Sequence, residues 1–133
     1  MADIVLERST AAPDRLRNAG LWVLQIAGAA MFFMAGTPKL TGAESMIQVF
    51  AAVGLGQWLR YFTGILEVVG AAALFVPSFA GLAALWLTAV MVAAVIAHLT
   101  VLGGSPAIAF ALLIAMAIVA WGRREQTLRL FKR

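Results

Sequence analysis

The chain has 133 residues, 63% of them hydrophobic and 12% charged, with a formal net charge of +4. So few polar groups cannot cover a water-soluble domain of this length, which excludes an ordinary soluble fold and leaves room for one membrane domain. There is no cysteine, which excludes disulfides, thiol redox chemistry and thiolate metal sites, and one histidine cannot build a metal centre without several carboxylates around it.

Residues 1–18 are polar and mixed in charge, with Asp3, Glu7, Arg8, Asp14, Arg15 and Arg17. That mixture does not fit the n-region of a signal peptide, and the expectation is a short cytoplasmic segment, helical from Ala12. Four apolar segments follow. Residues 19–36 carry Gln25 as their strongly polar side chain, 61–76 contain Glu67, 79–102 contain His98, and 106–122 have no ionisable residue. A spanning helix needs roughly 20 residues and tolerates about 17. The first, third and fourth segments qualify directly, and the second does when Trp58 to Arg60 join it. Helices alone let so few long segments satisfy their backbone in lipid. The expected fold is therefore all-α: an integral membrane four-helix bundle over 19–122, followed by a basic cytoplasmic tail, 123–133.

The connection at 37–59 is too long for a simple turn. Thr41-x-x-Glu44 has the pattern of a capping box, and Met46, Ile47, Phe50 and Val53 recur at helical spacing until Gly54 and Gly56. A short amphipathic helix at the outer interface is expected there, between the first two spans. Val76-Pro77-Ser78 separates the second span from the third. Gly103-Gly104 ends the third, and Ser105-Pro106 opens the fourth. Trp121 with Arg123 and Arg124 has the form of an aromatic anchor beside snorkelling cations. Eight of the ten lysines and arginines lie in the two termini, leaving Lys39 and Arg60 between the first two spans. The positive-inside rule then places both termini in the cytoplasm. No folded basic face remains for nucleic acid.

Glu67 is the residue this composition makes expensive. It stands about 9–12 Å into the second segment, where a carboxylate costs roughly 2.5–3.5 kcal/mol even on lenient scales. Its helical face also carries Arg60, Gly64, Ala71 and Leu74, and small neighbours of this kind pack against helices rather than lipid. His98 lies about four residues below the outer end of the third span, and Lys39 at the outer end of the first. Three groups from three helices thus reach the outer half of the bundle at comparable depth. Glu67 is read as one half of an ion pair or as a protonated, hydrogen-bonded acid. His98 is read as structural or catalytic, Arg60 as a boundary anchor, and Gln25 as the cap of an interhelical contact.

Gly36-Thr37-Pro38-Lys39-Leu40 resembles the G-x-x-K-L signature of the DoxX-like membrane proteins. Gly64-Ile65-Leu66-Glu67 resembles that family's G-x-x-E, and the alanines leading to His98 are similar to its third-span pattern. The resemblance covers roughly residues 20–122. It implies a small four-helix membrane protein of a family in which some members are subunits of quinone-linked oxidoreductases or belong to oxidative-stress and quinone-detoxification systems. Related animal proteins act as assembly factors. The similar vitamin K epoxide reductase branch needs cysteine pairs, which this chain lacks.

Two functions are expected to compete. In the first, Lys39, Glu67 and His98, with Gly36, Gly64 and Arg60, form a polar intramembrane pocket for a small lipophilic ligand such as a quinone. Lys39 or His98 donates to a carbonyl oxygen and Glu67 exchanges the proton. No cofactor is covalently bound, and electrons come from an oxidoreductase partner to which this chain is subunit or accessory. In the second, the chain is a non-catalytic assembly factor or structural subunit in which the same residues staple the helices together. The expected partners are the bilayer, the lipophilic molecule, an oxidoreductase or a second copy.

Overall fold

The structure is a computed structural model describing residues 2–132, with side chains described from residue 14 onward. Six α-helices follow in order: α1 Ala2–Thr41, α2 Glu44–Val53, α3 Trp58–Ala73, α4 Ala80–Ala97, α5 Ala107–Gly122 and α6 Arg124–Phe131. A π-helical turn, His98–Leu102, continues α4. The described residues contain no strand.

The helix expected from Ala12 starts earlier, and α1 is one helix of 40 residues, Ala2–Thr41. It also runs through Gly36-Thr37-Pro38, where an end was expected. The threonines of that stretch bond back four residues: the Thr37 hydroxyl donates to the Phe33 carbonyl at 2.7 Å and Thr41 to Thr37 at 3.0 Å. Gly42 ends the helix with φ 75°, and the Ala43 N–H donates to the Pro38 carbonyl at 3.0 Å. This is the left-handed glycine stop that leaves no Cβ to clash. Thr41 is therefore the last residue of α1, and the expected capping box with Glu44 does not form. The residue before α2 is Ala43, which offers no side-chain cap. The α2 helix itself is present over the expected positions and stops at Gly54, whose φ is 80°.

Among the described residues two stretches are long and apolar enough to cross a membrane, Asp14–Thr41 and Ala80–Leu102, and α5 with α6 makes a third if that pair, bent by 61°, is one span. The expected second span, α3, includes Trp58 to Arg60 at its start but closes at Ala73. Its 16 residues reach about 24 Å at 1.5 Å each, short of the roughly 30 Å hydrocarbon core. Beyond Ala73 the chain tightens, with Phe75 and Val76 bonding back three residues to Ala72 and Ala73 ahead of Pro77.

The long helices close on one another: α1 packs on α3 and α5, and α4 packs on the same two. Phe32, Leu74, Leu87 and Met116 lie between them fully buried. The outward side is just as apolar, with Val23, Phe33, Met34, Leu99 and Ile108 each more than half exposed. A surface this oily on a chain this oily is that of a helical membrane protein. The α2 helix rests on the π turn, α3 and α1 at one end, and α6 rests on α4 at the other.

Candidate functional site

Glu67 and Lys39 meet. Lys39 Nζ lies 2.7 Å from Glu67 Oε1, and the side chains are 15% and 1% exposed. The contact is a charge pair more than an aligned hydrogen bond, since Oε1 has no partner in hydrogen-bond geometry, and Oε2 is buried with no partner at all. Lys39 Nζ also donates to the Ala35 carbonyl at 3.1 Å.

Glycines bring α1 and α3 close enough for this. A Cβ on Gly36 would stand 2.8 Å from Val68 Cγ2 and 3.0 Å from Glu67 Cβ and the Gly64 carbonyl oxygen. A Cβ on Gly64 would stand 3.0 Å from Lys39 Cβ and from Leu40. The short side of each helix thus lies on the other, and the lysine stem folds over the contact.

Arg60 is placed differently from the boundary anchor expected of it. It is only 4% exposed. Its Nη1 donates to the Lys39 carbonyl and its Nε to Gln57 Oε1 at 2.8 Å, while the guanidinium lies 4.2 Å from the Tyr61 ring centre. The carbonyls in the last turn of α1 have no partner within the helix, and a cation there satisfies one of them. Arg60 therefore secures the backbone that carries Lys39.

His98 does not join the pair by any hydrogen bond among the described residues. It opens the π turn, and its Nδ1 lies 3.0 Å from the Gly103 carbonyl oxygen. Gly103 in turn donates its N–H to the His98 carbonyl at 3.1 Å. A π turn has no hydropathy signature, so the sequence does not announce it.

A second polar cluster ties the far ends of the helices. Gln25, 1% exposed, donates through Nε2 to the Leu74 carbonyl at 2.8 Å, as the interhelical cap expected of it. Its Oε1 accepts from Arg123 Nε at 2.9 Å, and Arg123 Nη1 donates to Asn18 Oδ1 at 2.8 Å. Arg123 thus turns inward where a snorkelling cation was expected, while Arg124 lies 4.3 Å from the centre of the Trp121 ring. Sequence reasoning missed Asn18 and Arg123 as partners. The helical spacing of Asn18, Leu21 and Gln25 is the available signal.

Two cavities, of about 630 and 250 Å³, open at this second end, and neither is lined by Lys39, Glu67 or His98. No curated protein and no solved structure matches the chain. Residues 23–121 match the model of the DoxX-like family, a stretch that holds Lys39, Glu67 and the helices that join them, and the chain belongs to that family.

Proposed function

We propose that this protein is a non-catalytic membrane subunit or assembly factor, and that Lys39–Glu67 is the staple setting the register of α1 on α3. In this reading α1, α3, α4 and α5 form a four-helix bundle in a bacterial inner membrane, which thins locally to let the short α3 cross. Both termini are cytoplasmic, and α2 lies at the outer interface. The observation that carries the reading is the 2.7 Å ion pair between two helices, with Glu67 almost fully buried. Breaking a buried pair by removing one partner costs about 3–5 kcal/mol, whereas replacing both by apolar groups is often neutral. Lys39→Met and Glu67→Gln should each lower the melting temperature of the purified protein by several degrees, and Lys39→Met with Glu67→Met should recover most of the loss. A double variant as unstable as the sum of the two singles would sink the staple.

One observation favours a second reading. Glu67 Oε2 is buried and unpartnered, an acceptor suited to a hydroxyl such as that of a reduced quinone. The protein would then hold a small lipophilic ligand as an accessory to an oxidoreductase, which supplies the electrons. Mass spectrometry of what co-purifies in mild detergent separates the two readings. A lipophilic compound retained by wild type and lost in a Glu67→Gln protein of unchanged melting temperature would favour the ligand. Equal contents with earlier melting of the variant would favour the staple.

A further inference from the structure

The end of the molecule remote from Lys39 carries two adjoining hollows of opposite character. The larger, about 630 Å³, is an open groove along α1 and α5 floored by Leu21, Leu113, Ala117 and Ile118, with Arg17, Arg124 and Trp121 at its α6 end. The smaller, about 250 Å³, shares Arg17, Leu21 and Gly122 with it. Its own lining is polar: Asn18, Arg123, Gln126 and Arg129, with the carboxylates Asp14 and Glu125. Four guanidinium groups against two carboxylates leave the joined space cationic.

Two buried atoms there have no partner. Arg123 uses Nε and Nη1 on Gln25 and Asn18, and its Nη2 has none; Gln126 Oε1 also has none. A buried donor and a buried acceptor without partners are costly, and a ligand carrying both an anionic oxygen and a hydroxyl satisfies both. A soluble anion would leave the apolar groove bare. A lipid without net charge would leave the surplus of guanidinium unmet.

We propose that the joined hollows hold one anionic phospholipid with a hydroxyl-bearing headgroup. Its phosphate sits among Arg17, Arg123 and Arg124, its headgroup hydroxyl faces Gln126 Oε1, and an acyl chain lies along Leu113 and Ile118. Trp121, 70% exposed with Arg124 over its ring, lies at the headgroup level that tryptophan and arginine prefer in membranes.

The test uses the full chain in nanodiscs of phosphatidylcholine, with or without phosphatidylglycerol, read by native mass spectrometry and thermal unfolding. Wild type should retain a phosphatidylglycerol molecule and melt a few degrees higher when it is present. Arg124→Gln, which removes one charge-assisted contact at an exposed position, should weaken retention about tenfold while melting as wild type in phosphatidylcholine alone. Arg15→Gln removes the same charge from the same end outside both hollows and should retain the lipid as wild type does. Equal retention of both lipids by wild type would overturn the proposal. So would equal loss in Arg15→Gln and Arg124→Gln, which marks general surface charge. Displacement of the lipid by millimolar inorganic phosphate would overturn it too, because the site would then be one for a free anion.

Discussion

Glu67 is tolerated in an apolar helix because Lys39 reaches it, and Lys39 reaches it because Gly36 and Gly64 hold no side chain between α1 and α3. The charge and the small residues therefore belong to one device. At Gly36 the nearest obstacles to a Cβ are the Cγ2 methyl of the stiff, β-branched Val68, the Glu67 Cβ and the Gly64 carbonyl oxygen, none of which is the far end of a flexible side chain. Gly36→Ala should push α1 from α3 and cost about 1–3 kcal/mol, seen as a lower melting temperature. An unchanged melting temperature would show that the helices part without loss. Gln25 makes the equivalent link at the other end, donating to Leu74 and accepting from Arg123. The carboxylate was visible in the sequence as an anomaly of charge. The role of Arg60 was not, because a cation three residues into a helix looks the same whether it faces water or the end of a neighbouring helix.

Helix existence followed hydropathy closely, and helix ends followed local bonding. The α1 helix passes Pro38 and stops where Gly42 adopts positive φ. The α2 helix forms at its apolar spacing without the cap that Thr41 promised, because Thr41 is the last residue of α1 and Ala43 stands at the N-cap position of α2. Gly54 isolates the backbone contribution: its φ is +80° and nothing lies within 4 Å of an added Cβ. Gly54→Ala should destabilise by roughly 1 kcal/mol through left-handed strain alone, with the helical circular dichroism retained. A loss of several kcal/mol would mean that Gly54 also makes room for a contact unseen here.

Across the whole molecule, apolar residues both fill the centre and coat the outside, so hydropathy alone does not say which face of a helix is which. Glycine and polar positions supply that distinction: Gly36, Gly64, Gln25 and Glu67 all face inward. The proposed topology puts residue 105 outside and residue 132 in the cytoplasm. The chain has no cysteine, so single substitutions report cleanly. In intact cells an impermeant maleimide should label Ser105→Cys, and Lys132→Cys only after the membrane is opened. The reverse pattern would invert the orientation, and labelling of both positions on the same side would show that α5 does not cross the membrane.

Composition, helical periodicity and the motifs around Lys39 and Glu67 were enough to establish a helical membrane protein of the DoxX-like family, since these depend on residue type and local spacing. The ion pair partner, the inward turn of Arg123 and the hydrogen bond that keeps His98 on its own turn were decided by tertiary structure. Depth along a helix can be counted from sequence at 1.5 Å per residue. Which side chain meets which depends on the rotation of each helix about its axis, and glycine-to-backbone contacts between helices set that rotation.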